Sequence, residues 1–319
     1  MKHRQALATV QAHHLPLWAW GGFLFFVATM LSIDLGVFNR KAKEMTLGKA
    51  LGWCAVWITL ALGFNGLVSW KLGGQAGLEF FTGYLIEICL SIDNIFVFIL
   101  VFQYFRIPPA LQHGVLFWGI IGAVIMRAVF IFAGITLLEH FHWIMYGFGA
   151  FLVFTGFKMA FSGDKKMDPE KNLAVRMFRK IFPVTSELHG KHFLVRQDGK
   201  LFATPLLIVL VIVETTDLVF ALDSIPAVLA VTQKAFIVFT SNIFAILGLR
   251  ALYFAISGVM KLFRYLGIGL AAVLIFIGIK MLSDDFYPIP ITASLGVIAG
   301  IIAIAVVASL MNPKKDAQA

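Results

Sequence analysis

Glu87-Ile88-Cys89-Leu90-Ser91-Ile92-Asp93-Asn94-Ile95 and, further along the chain, Asp217-Leu218-Val219-Phe220-Ala221-Leu222-Asp223-Ser224-Ile225 read as one pattern written twice. Each copy has an acid, five residues, an aspartate, a small polar side chain and isoleucine. Both lie inside long apolar stretches, and the likeness continues beyond them. The next stretch of each half carries Arg-Ala, at Arg127-Ala128 and Arg250-Ala251. The third carries Phe154-Thr155-Gly156-Phe157-Lys158-Met159 in one half and Phe276-Ile277-Gly278-Ile279-Lys280-Met281 in the other. Three matches in the same order make an internal repeat of three apolar segments per unit.

The 319 residues are 60% apolar and 13% charged, with a mean hydropathy of +0.89, whereas soluble domains are roughly 25% charged. Apolar runs at 15–37, 47–70, 80–104, 111–138, 141–161, 203–231, 236–258, 265–282 and 287–311 approach or exceed the roughly 18 residues that cross a bilayer as helix. The expectation is an all-α polytopic membrane protein with about nine transmembrane helices. It forms a single transmembrane domain over 1–319: two N-terminal helices in 15–70, repeat 1 in 80–161, a cytoplasmic loop in 162–202, repeat 2 in 203–282 and a final helix in 287–311. The first run has full span length and no small-residue cleavage site after it, so it reads as a retained helix. The net charge of +9 has no soluble basic domain to sit on, which excludes nucleic acid as a partner and leaves the lipid bilayer. Cys54 and Cys89 both fall in apolar runs and read as small buried hydrophobes, not as a disulfide or zinc framework.

Nine spans divide the loops into two sets, one holding 18 Lys and Arg and the other only Lys2, Arg4, Lys71 and Lys234. The positive-inside rule places the N-terminus outside and the C-terminus in the cytoplasm. The two units are separated only by the cytoplasmic 162–202 loop, so they cross the membrane in opposite senses as an inverted repeat. Such repeats recur in secondary transporters, which hold the substrate near the midplane where the halves meet and rock one half against the other. Within the loop, Leu173, Met177, Phe178, Ile181 and Phe182 at helical spacing beside Arg176, Arg179 and Lys180 predict a helix on the inner membrane face. Gln197-Asp198-Gly199 between His192–Arg196 and Lys200–Ala203 predicts a hairpin turn.

Five carboxylates lie well inside spans: Glu87, Asp93, Glu214, Asp217 and Asp223. At roughly 2.5–3.5 kcal/mol each, five would cost on the order of 12–17 kcal/mol facing lipid, so they face one another, a cavity or a cation. A purely structural alternative is that Arg127, Arg250, Lys158 and Lys280 pair with them to fix helix packing. Glu214 and Asp217 share a helix face, but six residues turn about 240°. An intact helix would therefore splay Asp223 away. Pro226 frees the carbonyl of Leu222, which predicts a helix break at 222–226, with a matching one at 91–94 inferred from the repeat. All eight histidines fall in predicted loops or termini, so the ligand set is carboxylate, the Asn94 amide, the Ser224 hydroxyl and freed carbonyls. Such an all-oxygen set suits manganese, magnesium or calcium. Asn65 and Asn242 are further buried amides, and Asp34 reads as a solvated acid at a helix end. Cation and proton compete for a buried carboxylate, which points to exchange of a divalent cation for protons.

The chain resembles the TerC/Alx family of integral membrane proteins, closest to its Alx branch. The resemblance is carried by Ile33-Asp34-Leu35, Gly83-Tyr84-Leu85-Ile86-Glu87, Asp93-Asn94, the segment 149–159, His192-Phe193-Leu194-Val195-Arg196, Ala203-Thr204-Pro205, 220–227, 240–251 and 276–281. It implies a cytoplasmic-membrane protein linked to manganese efflux, with Glu87, Asp93, Glu214, Asp217 and Asp223 needed for activity. The choice of Mn²⁺ rests on this resemblance alone, and Mn²⁺ enters as substrate, with no tightly bound cofactor. The family also carries the labels tellurite resistance and redox modulation. A redox role would need paired thiols or cofactor ligands, and two isolated cysteines supply neither. An aspartyl protease would need Gly-x-Gly-Asp, which is absent, so no enzyme is expected. The remaining alternative is a non-transporting scaffold for a resistance or redox-modulating complex, acting through membrane-protein partners or a homo-oligomer.

Overall fold

A chain crossing lipid finds no water for its backbone N–H and C=O groups, so these must be satisfied within the segment, which only a helix does locally. The computed structural model describes residues 16–38, 46–141, 143–161, 173–185, 187–197, 199–257 and 265–311. Its elements are α1 (Leu17–Phe38), α2 (Leu47–Leu72), α3 (Gly74–Tyr104), α4 (Pro109–His140), α5 (Ile144–Phe161) and α6 (Leu173–Ile181). There follow β1 (Leu194–Gln197), β2 (Lys200–Ala203), α7 (Pro205–Leu229), α8 (Ala235–Ser257), α9 (Leu266–Ser283) and α10 (Ile291–Met311). Among the described residues, the eight helices α2–α5 and α7–α10 are long and apolar enough to cross a membrane, and α1 has a shorter apolar stretch, Leu17–Ile33. Residues 162–172 of the loop expected at 162–202, and most of the basic residues of the short loops, lie outside the described residues.

Local chemistry sets the boundaries. Pro109 and Pro205 open α4 and α7 in the first turn, where a missing N–H costs nothing. Gly73, at φ 94, separates α2 from α3 and donates its N–H to the Ser69 carbonyl at 3.1 Å. Its positive φ is a conformation glycine adopts without strain. Gln197 pairs with Lys200 across the hairpin turn, and Gly199 takes φ 79 there. The small sheet rests beside α7, and α6 packs on the same helix through the buried Val175.

Helices do not associate in lipid by the hydrophobic effect, since lipid tails are as apolar as leucine; close packing and buried polar contacts hold them together. The α8 helix packs against α2, α3 and α4, while α3 and α4 both pack on α7. Phe23, Phe64, Phe80 and Phe244 build one end of the core, with the Phe64 and Phe244 rings 4.9 Å apart. Towards the hairpin end, Ile95, Phe98, Phe102, Val209, Ile212 and Tyr253 form a second apolar cluster. The α5 and α9 helices, the third spans of the two units, make the most extensive helix pair. Gly149 abuts Gly278 and Met281, whereas Gly156 abuts Ala271 and Ile275, so α5 and α9 run antiparallel. A Cβ on Gly278 would stand 2.7 Å from the Gly149 carbonyl oxygen, which fixes the two backbones in direct contact.

The expected helix breaks are not there. α7 runs without interruption from Pro205 to Leu229 with Pro226 inside it, and α3 runs through 91–94. Pro226 lies in the last turn of α7, so its ring removes one hydrogen bond from a helix end that tertiary packing already holds.

Candidate functional site

Because α7 is intact, its two aspartates separate. Asp217 turns into a buried network and Asp223 into a cavity, and α3 divides Glu87 from Asp93 in the same way.

Arg127 of α4 is the centre of the network and is 1% exposed. It holds Glu87 in a short ion pair, reaches Asp217 Oδ1 at 3.5 Å and donates to Ser224 Oγ at 3.3 Å. Asn242 Nδ2 donates to the second Glu87 oxygen at 2.8 Å, and Asn94 Nδ2 donates to Asp217 Oδ1 at 3.1 Å. Both oxygens of Glu87 are therefore satisfied by protein donors. Four helices, α3, α4, α7 and α8, are tied together by these side chains. One guanidinium reaches two carboxylates, and Asp217 Oδ2 is buried with no hydrogen-bond partner in the protein.

Asp93 and Asp223 face each other across a cavity of about 30 Å³, lined also by Leu90, Asn94, Arg127, Met159, Ser224 and Leu274. A space of that size admits one or two water-sized objects. Thr155 and Lys158 of α5 face the Asp223 carboxylate. The Asp223 Oδ1 and Asn94 Oδ1 atoms are buried without a protein donor. Two carboxylates set against one another out of water repel unless a cation or a proton sits between them. The cavity thus holds two oxygen acceptors, Asp223 Oδ1 and Asn94 Oδ1, that have no donor in the protein, at a point where both units meet.

The other expected site residues stand elsewhere. Glu214 is half-buried, its carboxylate packed on Gly122 of α4. Arg250 lines a separate small cavity with Asp217. Lys280 lines a cavity of about 660 Å³ at the end away from the hairpin, with Glu79, Glu139, Lys234 and Asp284. Among the described residues no three His, Cys, Asp or Glu side chains converge as a metal-binding group. The seven ligands expected as one set are split, because an unbroken α7 cannot turn Glu214, Asp217 and Asp223 to one point. Asn65 keeps an unpartnered buried oxygen, and the side chain of Asp34 lies outside the described residues.

One histidine also departs from expectation: His113 lies in the first turns of α4, its ring centroid 4.3 Å from that of Phe254. Two contributors went unrecognised in the sequence. In the sequence Thr155 stands out only as part of the repeated Phe-x-Gly-x-Lys-Met motif. Glu79 fell just before the expected start of its span, yet it is buried and accepts from Thr232 Oγ1 at 2.8 Å and Lys234 Nζ at 2.9 Å. The Gly73-Gly74 pair, a strong punctuation signal, would have started α3 early enough to include it.

An all-helical bundle with a buried ion network and a facing aspartate pair between its two acid-bearing helices is a polytopic integral membrane protein with an intramembrane polar centre. The chain belongs to the TerC family of integral membrane proteins, whose pattern matches residues 72–317. It is 51% identical over 304 residues to an uncharacterized membrane protein of Myxococcus xanthus, covering 94% of this chain and 95% of that one. It is 48% identical over 309 residues to Alx of Escherichia coli K12, named as a candidate membrane-bound redox modulator, covering 94% and 96%. A membrane protein of Rickettsia bellii is 40% identical over 294 residues, 92% of this chain and 97% of that one. No solved structure matches the chain.

Proposed function

We propose that this protein exports a divalent metal cation, Mn²⁺ by family resemblance, across the inner membrane in exchange for protons, with Asp93 and Asp223 as the shared carrier site. The observation that supports this reading is the facing pair itself: two carboxylates on different helices, opposed across a cavity large enough for a single ion, beside the unpartnered Asn94 oxygen. An all-oxygen donor set suits a hard cation such as Mn²⁺ or Mg²⁺. A divalent cation cancels the mutual repulsion of the pair, and protons on the carboxylates do the same, so each displaces the other. Glu87 and Arg127 neutralise one another beside the cavity and hold its walls. Glu214 and Asp217 flank the route without sharing the ion.

The Alx name carried by relatives supports a second reading, a non-transporting membrane protein that modulates redox state through partners. Cys54 on α2, half-buried, and Cys89 on α3, buried, are both free thiols.

Purified protein in proteoliposomes, loaded with Mn²⁺ and given a pH gradient, separates the two. Wild type is expected to move Mn²⁺ with coupled proton movement, and Asp93→Asn and Asp223→Asn to fold yet move at least tenfold less. Absence of Mn²⁺ flux in wild type under every gradient, or full flux in both variants, would overturn the transport reading in favour of the partner one.

A further inference from the structure

The two units differ in how they hold the first acid of the repeated pattern. That acid is Glu87 in one unit and Asp217 in the other, and the next span of each carries the matching arginine, Arg127 and Arg250. Eight residues before Arg250 stands Asn242, whose amide donates to Glu87 Oε2 at 2.8 Å. Eight residues before Arg127 stands Gly119, which has no side chain to donate. Glu87 accordingly has both oxygens taken by protein donors. Asp217 accepts from Asn94 and Arg127 on Oδ1, but among the described residues its Oδ2 has no partner, although the residue is only 3% exposed.

The packing follows the same correspondence. The first span of each unit packs on the second span of the other, α3 on α8 and α7 on α4. Four residues before each acid, Gly83 of α3 lies against Ser241 of α8, and Val213 of α7 lies against Gly119 of α4. The glycine has changed sides of the interface. With Gly119 where the other unit has an asparagine, and Asp217 one methylene shorter than Glu87, the α4–α7 contact is short of atoms beside the acid. A cavity of about 10 Å³ lies there, lined by Asp217, Arg250, Gly119, Val213, Ala123 and Leu249. Its size is about that of one water. Buried carboxylate oxygens are nearly always hydrogen-bonded, to protein or to ordered water.

We propose that this cavity binds a single water molecule, which donates to Asp217 Oδ2 and accepts from the Arg250 guanidinium, and so does for the second unit what the Asn242 amide does for the first. A buried water needs at least two polar partners, and the acid and the guanidinium supply them. Such a bridge holds nearly as well as a direct hydrogen bond, at a modest entropic cost. Arg250 then stands to Asp217 as Arg127 stands to Glu87, with one solvent molecule interposed. The acid of the α3–α8 contact is held by protein atoms alone, and that of the α4–α7 contact through solvent. Asp217 is therefore the acid of the network whose hydrogen bonding a side chain at position 119 resets. The assignment is independent of the transport reading, since it needs no ion to move.

Two exchange variants test the site by moving the glycine back across the interface. Val213→Gly makes room in both. Gly119→Asn then offers an amide in place of the water, and Gly119→Leu, with as many side-chain heavy atoms, fills the cavity without a donor. In detergent the Asn form is expected to melt within about 3 °C of wild type and the Leu form at least about 5 °C below the Asn form, because a buried acceptor has lost its donor. Leucine is the better helix former, so propensity would give the opposite order. In an Asp217→Leu background, with no carboxylate to satisfy, the Leu form should melt at or above the Asn form. Equal melting of the two forms, or an order that survives Asp217→Leu, overturns the proposal. Wild type supplies a second measurement that depends on no variant folding: an electron cryomicroscopy map in nanodiscs, at a resolution that shows ordered water, should hold one water within about 3.2 Å of Asp217 Oδ2. A direct Arg250–Asp217 ion pair or a closed cavity in that map overturns it.

Discussion

Removing either partner of the Glu87–Arg127 pair should unfold this protein more easily than removing either aspartate of the facing pair, and the size of the difference follows from the contacts. Arg127 is buried and holds Glu87, Asp217 and Ser224. In Arg127→Met two carboxylates lose the guanidinium they share, and taking one partner from a buried pair costs about 3–5 kcal/mol. In Glu87→Gln the amide keeps the Asn242 contact and Arg127 keeps Asp217, so the loss falls near the low end, about 3 kcal/mol. The two changes touch the same interaction, so the double variant should be cheaper than the sum by about 1–3 kcal/mol. Asp223→Asn instead relieves a carboxylate facing Asp93 and should change stability by under about 1 kcal/mol. Reversible unfolding in mixed micelles, followed by tryptophan fluorescence, measures all four. The reasoning is refuted if Glu87→Gln is as stable as wild type and abolishes flux while Asp223→Asn transports normally, for Glu87 would then be the carrier and not the wall.

Three further outcomes follow from the packing. Linking Tyr146→Cys to Asp285→Cys, two residues already joined by a hydrogen bond between α5 and the end of α9, should leave Mn²⁺ flux intact, whereas linking Met145→Cys to Leu229→Cys across the large cavity should stop it; the reverse pattern would mean that α5 and α9 part during transport. Gly278→Ala forces a Cβ to within 2.7 Å of the Gly149 carbonyl and 2.9 Å of the Val153 nitrogen, so the melting temperature should drop by the equivalent of about 1–3 kcal/mol. Gly122→Ala drives a Cβ into the Glu214 carboxylate, which can swing aside; stability should hold within about 1 kcal/mol, and a fall in Mn²⁺ affinity would show that Glu214 attracts the ion from its flanking position.

Where the sequence was legible, its signal was periodic or repeated. Span positions came from runs of apolar residues, because a helix in lipid needs nothing else to form. The α3 and α7 acids were visible because a carboxylate in such a run is expensive and therefore informative. The turn at Gly199 and the α6 helix were written in short-range chemistry. What sequence could not give was the partition of the five acids. That depends on the rotation of an unbroken helix and on which neighbour presents a cation, and Arg127 satisfies Glu87 from a helix forty residues further on. Pro226 misled because its effect depends on its distance from the helix end, which only the true C-terminus at Leu229 reveals. Thr155 and Glu79 carry no periodic signal; they matter through contacts with α7 and with Thr232 and Lys234, which only the packing brings near.

On the transport reading, the division of the acids into an arginine-tied network and a facing pair would resolve a conflict inherent in moving ions through lipid. A site that releases its ion must tolerate being empty, yet buried carboxylates without partners destabilise the helices that carry them. Placing the permanent countercharge on Glu87 and Asp217 through Arg127 lets α3, α4, α7 and α8 stay assembled whatever occupies the neighbouring cavity. On that reading the cost of an empty site falls mainly on Asp93 and Asp223, where protons would relieve it. The same logic explains why the facing pair is not fully walled by its own body of helices. Thr155, Lys158, Met159 and Leu274 close it from α5 and α9, the two helices bound most tightly to each other and more sparsely to the rest. If an ion is held at this seam, moving one helix pair would expose it without unmaking the charged network that ties the other helices together.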